Sequence, residues 1–257
     1  MNGLKRMPLF LGAALLLIAI SGCGKSGVAA CVKQGVAAAE AGDWEKALKF
    51  ASSGVERAPK NLDALLLKAL AARKCGRHSV ACEAAAKAVK AAPDNFSAQF
   101  MLGWVCMDDP SRRGDARQAF RAALKLRPGD RDSLIALCNL AAEDGDAELA
   151  GWLEQLETSH PEFAARSAAF QNQRGVAYMR AGRYREAGAA FAKAVKMIFN
   201  DPRIVYNAAC VGDRLRSVPK WRLRGWYEQY LELTQGDRSA AESRQLVMAR
   251  LRDFVER

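Results

Sequence analysis

Histidine is nearly absent from this 257-residue chain, which holds only His78 and His160. The first falls in a turn, the second precedes Pro161, and neither has cysteines and carboxylates at ligand spacing around it. That excludes a zinc-type centre and a nucleophile–base triad, so neither an enzyme nor a cofactor is expected. Proline is also scarce, at eight residues, strand-like runs are few and alanine is abundant, so the chain reads as all-α. Basic residues almost vanish between Gly129 and Ala164, where Arg131 stands alone against nine acidic residues. The balance then inverts, with thirteen basic residues against Glu186, Asp201 and Asp213 from Ala165 to Arg224. An acidic stretch therefore abuts a basic one in a chain of formal net charge +11.

No apolar run is long enough to cross a bilayer comfortably. The longest uncharged stretch, Pro8 to Ile20, follows Lys5 and Arg6 and has the length of a signal-peptide core. It ends in Ile20-Ser21-Gly22-Cys23, which resembles the lipobox of bacterial lipoproteins: an aliphatic and two small residues ahead of a cysteine that is acylated and becomes the mature N-terminus. The resemblance implies a signal peptide over 1–22, a lipid on Cys23 and a short linker over 23–27. Two or three acyl chains hold a protein at a membrane where one does not. Gly24 stands where the inner-membrane retention signal has Asp, so attachment to the outer membrane, facing the periplasm, is the expectation. Gly22-Cys23-Gly24-Lys25-Ser26 is not a phosphate loop, since Ala19 replaces its first glycine. In an envelope the basic stretch is expected to meet no nucleic acid; anionic headgroups, an acidic protein or solvent alone remain. Of the six other cysteines, Cys31, Cys75, Cys82, Cys106, Cys138 and Cys210, most occupy positions filled elsewhere by small interface residues, and Cys75 with Cys82 is the one local pair.

Five times the chain writes a small residue and, after four more, an alanine: Gly42 and Ala47, Gly76 and Ala81, Ser111 and Ala116, Gly145 and Ala150, Gly182 and Ala187. The alanines recur at intervals of 34, 35, 34 and 37 residues, and Pro59, Pro93 and Pro128 follow the first three at a fixed distance. A period of about 34 residues means stacked helix pairs. The fifth unit carries Gly175, Tyr178, Gly182, Tyr184, Ala187, Phe191 and Ala194; the third Leu102, Gly103, Ala116 and Phe120; the first Gly35, Trp44 and Ala47. This pattern resembles the tetratricopeptide repeat (TPR), which implies a right-handed α-solenoid over 28–235 closed by a C-terminal capping helix in 236–257. Small residues let two helices approach and aromatics fill the wedge beside them. Glycines 42, 76, 145 and 182 are expected to end first helices in the left-handed conformation. Thr158 to Arg166 reads as an irregular link.

TPR arrays use the first helix of each pair to line a channel for a protein or peptide. Leu66, Leu70, Arg73 and Lys74, then Phe100, Trp104 and Met107, then Ile135 and Asn139, and finally Asn172, Met179 and Arg180 occupy that face. Either these side chains grip a client, with Arg73, Lys74 and Arg180 orienting it by charge, or they pack internally. The expected function is a lipid-anchored periplasmic scaffold or adaptor for envelope assembly or secretion, similar to two kinds of small TPR lipoprotein, the pilotins of type IV pili and the lipoprotein partner of the outer-membrane β-barrel assembly machinery, with no residue singling out either system. The alternatives are a self-assembling structural lipoprotein, hence a homo-oligomer, or an accessory subunit of an envelope enzyme.

Overall fold

A computed structural model describes residues 26–216 and 218–255; the segment expected to be a signal peptide and Cys23 lie outside them. The described residues form helices and no strands. They fall into two compact units, with the boundary between Leu140 and Ala141.

Unit one contains α1 (Ser26–Glu40), α2 (Trp44–Arg57), α3 (Leu62–Lys74), α4 (His78–Ala91), α5 (Phe96–Cys106) and α6 (Arg113–Leu126), and most of α7 (Arg131–Asp144). Local chemistry sets nearly every boundary. Asn61 and Asn95 open α3 and α5 by accepting from the N–H groups of Ala64 and Ala98 at 2.9 and 3.0 Å, and Asp43 does the same for α2 through Lys46. Gly42 and Gly76, at φ 79° and 73°, close α1 and α3. Behind each glycine the chain bonds back across the last turn, as Gly76 N–H donates to Arg73 O and Arg77 N–H to Ala72 O, which satisfies carbonyls the helix leaves open. Between α5 and α6 the device differs: Asp109 caps a short 3-10 turn, Pro110–Arg112, in place of a glycine.

Close approach explains the small residues. A Cβ on Gly103 of α5 would lie 2.9 Å from the Phe120 ring of α6, and one on Gly35 of α1 would lie 2.6 Å from Leu67 of α3. Phe100 meets the same Phe120 ring edge-on at 5.7 Å between centroids. The cysteines do not pair as their spacing suggests. Cys82 Sγ lies 3.8 Å from Cys106 Sγ, between α4 and α5, because the repeat stacks these two helices; Cys75 takes no part, and all six described thiols are free. Burial and the neighbouring thiol push Cys106 up to about 12, and burial alone does the same for Cys138.

Unit two continues with α8 (Leu149–Ser159), α9 (Pro161–Arg166), α10 (Ala168–Arg180), α11 (Tyr184–Met197), α12 (Pro202–Leu215), α13 (Lys220–Leu233) and α14 (Ala241–Val255). The stretch expected to be an irregular link contains the helix α9. Pro161 at its first position forfeits no bond there, and Gln171 of α10 donates from Nε2 to Ala164 O at 2.9 Å, tying α9 to the next helix. Gly175 packs against Phe191 more tightly than Gly103 against Phe120, at 2.5 Å from its would-be Cβ to the ring. The turn from α11 to α12 keeps the form seen before α3, α5 and α7 although Phe199 replaces proline; Ile198, at φ −141° and ψ 100°, matches Ala58, Ala92 and Arg127. At the far end Val205, Ala209, Tyr227, Tyr230 and Val247 form one core, with Trp226, Leu251 and Phe254 against it, so α14 covers the last hairpin. Asp237 starts this region by capping a 3-10 turn, Arg238–Ala240, ahead of α14. No described helix is long and apolar enough to cross a membrane.

Candidate protein-interaction site

The twelve residues assigned to a channel divide between the units, nine in unit one and three in unit two. Leu66, Leu70, Phe100, Trp104 and Ile135 are all exposed by 6% or less, so in the described structure they form no open apolar wall. Met179 is likewise half-buried, packed against the core of Ala187, Phe191, Ala208 and Val211. Met107, Asn139 and Asn172 are half-buried, and Asn172 accepts from Asn207 Nδ2 at 2.9 Å, a bond between corresponding helices of successive hairpins.

What unit one presents is a polar and aromatic cluster at the C-terminal end of α3. The Arg73 guanidinium lies 3.8 Å above the Trp104 ring of α5. Its Nε donates to Asp108 at 2.9 Å and its Nη2 approaches the same carboxylate at 2.7 Å. Stacking from one side and a two-point grip from another fix a side chain that would otherwise be mobile. Burial presses the guanidinium below its ordinary value, and Asp108 acts against that by favouring the charge. Next to it Lys74 is exposed, with its ammonium 5.6 Å from the Trp44 ring. Burial, and after it the neighbouring Arg73 charge, lower the Lys74 pKa. A carboxylate or phosphate arriving here would relieve that repulsion.

Arg180 heads a separate site in unit two. Its Nη2 donates to Ala142 O at 3.2 Å, and the side chain lines a surface cavity of about 330 Å³ together with Gly145, Asp146, Leu149, Ala150 and Ala177. The helix ends there because Gly182 takes φ 72°, which leaves Arg180 in the last turn of α10 facing the end of α7. Arg73 and Arg180 are therefore cations already engaged in hydrogen bonds, and Lys74 and Arg180 are the exposed ones.

Asp108 and Asn207 did not emerge from the sequence as site residues. Both stand 35 residues from their partners, one repeat and a step away, so the register held the signal. It carried no indication that the side chains would turn toward each other.

Two tetratricopeptide-repeat family models match the chain, one over residues 32–96 and 66–111 and the other over 168–201. No curated protein matches it. Among solved structures, PilW, a widely conserved type IV pilus biogenesis factor, superposes with a TM-score of 0.63 at 16% identity, covering 88% of this chain and 100% of its own. Pseudomonas aeruginosa pilF gives 0.67 at 14% identity over 87% and 97% of the two chains. YrrB, described as a TPR protein with an unusual peptide-binding site, gives 0.62 at 13% over 76% and 97%. At such identities the likeness is one of fold: an all-α stack of TPR hairpins.

Proposed function

We propose, from the tetratricopeptide repeats the chain carries, that it is a lipid-anchored scaffold of the cell envelope, attached through Cys23 to the outer membrane and facing the periplasm. In this reading it holds a protein or peptide client for envelope assembly or secretion. The observation that carries the binding role is the Arg73–Lys74 pair at the end of α3: a fixed cation stacked on the Trp104 ring, followed in the chain by an exposed one whose ammonium lies near the Trp44 ring. That arrangement suits an acidic segment of a client, with Arg180 marking a second contact in unit two. The lipobox pattern supports the anchor, and the likeness to PilW, a type IV pilus biogenesis factor, supports an envelope setting.

The test is recovery of partners from solubilised envelope by the tagged full chain and by Lys74→Glu and Trp104→Ala. Lys74 is exposed, so its reversal should lose the client by about tenfold while the melting curve stays unchanged. Equal recovery by Lys74→Glu overturns the proposed site. Recovery of nothing but further copies of the chain overturns the client reading in favour of self-assembly.

A further inference from the structure

The start of α13 carries a feature the hairpin does not need. Leu223, Tyr227 and Tyr230 are its buried face, yet Trp221 on the opposite side is 71% exposed, the most exposed large apolar side chain among the described residues. The equivalent second position of α2, α4 and α11 holds Glu45, Ser79 and Arg185, all exposed. Those helices fold with polar residues there, so the indole is surplus to the packing and exposes apolar surface to water.

The charged residues next to it along the helix are basic. Lys220, Arg222 and Arg224 flank it on α13, and the Arg222 guanidinium lies 5.2 Å from the indole centroid. Arg214 and Arg216, both exposed, come from the end of α12. Arg224 is answered by Glu228 at 2.7 Å, and the acidic groups Asp213 and Asp253 are both taken up by Arg250, at 2.7 and 3.1 Å. Among the described residues no ion pair answers Arg214, Arg216, Lys220 or Arg222, although the Arg214 guanidinium lies 4.5 Å over the Tyr184 ring of α11. A cavity of about 330 Å³ opens beside them, lined by Arg216 and Lys220 together with the paired Asp213, Asp253 and Arg250. Arg216 also adopts φ 50°, alone among the described non-glycine residues, at the helix end where Gly42, Gly76, Gly145 and Gly182 stand in other hairpins.

We propose that this corner of unit two docks on an anionic phospholipid surface, with Trp221 at the boundary between headgroups and acyl chains and Arg214, Arg216, Lys220 and Arg222 on the lipid phosphates. A single protruding indole flanked by like charges matches a smooth, negatively charged interface, where tryptophan concentrates and each basic residue adds attraction. A protein client would instead call for a broader apolar patch with mixed charge at its rim. The proposal rests on the envelope reading only in that it requires a membrane within reach.

The readout is local. The full chain is mixed with vesicles of neutral phosphatidylcholine or of phosphatidylcholine with phosphatidylglycerol, the lipids brominated along the acyl chain, and tryptophan quenching is followed. The expected result is quenching in the anionic vesicles that falls several-fold in Trp221→Phe, in the double variant Lys220→Glu with Arg222→Glu, and at high salt. Equal quenching in wild type and Trp221→Phe overturns the proposal, as does quenching indifferent to lipid charge. A Trp221 emission shift that follows protein concentration without vesicles also overturns it and assigns the patch to a second copy. Unchanged circular-dichroism melts establish that the variants fold. The mass of the purified chain reports acylation at Cys23 separately, so quenching without acylation sinks the anchor and leaves this surface standing, and the reverse result sinks the surface alone.

Discussion

Glycine at position 175 illustrates how one residue governs an interface. A methyl group there would sit 2.5 Å from the Phe191 ring, a separation that real Cβ atoms do not tolerate, and Phe191 is fully buried with no room to withdraw. Gly175→Ala must therefore separate α10 from α11 or force Phe191 off its rotamer, at a cost of about 1–3 kcal/mol. Gly151→Ala is the control, because nothing lies within 4 Å of its would-be Cβ and the position is exposed and helical. Thermal melts of the two variants should place Gly175→Ala well below wild type and Gly151→Ala level with it or slightly above. Equal melting temperatures would mean that the α10–α11 contact is looser than described.

Capping decides where elements start, and its chemistry titrates. Asp201 accepts from the N–H of Arg203 at 2.9 Å to open α12 and pairs with the Arg203 guanidinium at 2.7 Å. Burial would raise this carboxyl, but the Arg203 hydrogen bond and charge outweigh it and hold the group below its ordinary value. A depressed folded-state pKa contributes stability above the unfolded value that disappears as pH falls through the folded one. Asp201→Ala should cost about 1 kcal/mol at neutral pH, with the gap to wild type closing as pH drops below about 4; a gap independent of pH would show that the ionised cap contributes nothing. Such caps and the glycines at 42, 76, 145 and 182 lie within a few residues of what they bond, so the helix boundaries were legible from the chain alone. Helix α9 was not, because six residues are too few to display a period, although Pro161 marked its start. The Arg73–Asp108 grip, the approach of Cys82 to Cys106 and the burial of Leu66 and Leu70 depend on distances between successive repeats, which the 34-residue period implies only to within a residue.

For the whole molecule the decisive question is how it is held. Only Gly24 and Lys25 separate Cys23 from Ser26, the first residue of α1, so a lipid on Cys23 would keep the start of unit one within about 11 Å of the acylated residue. Each buried methylene contributes about 0.8 kcal/mol, which makes one acyl chain a reversible anchor and two or three a lasting one. The described helices offer no substitute, since none can span a bilayer, and a docking patch of four cations and one indole is weak and salt-sensitive by comparison. In cells that carry out lipoprotein processing, the wild-type chain is therefore expected in the detergent phase on temperature-induced phase separation, with a mass above that of residues 23–257 by the weight of its acyl groups. Cys23→Ser removes the acceptor thiol and should add no acyl mass and leave residues 1–22 uncleaved, because processing follows acylation. High salt should release neither form: the wild type stays by its acyl chains and the variant by its retained apolar segment. Mass is thus the deciding measurement, and a wild-type chain of unmodified mass, or a Cys23→Ser chain that still gains acyl groups, would remove Cys23 as the anchor.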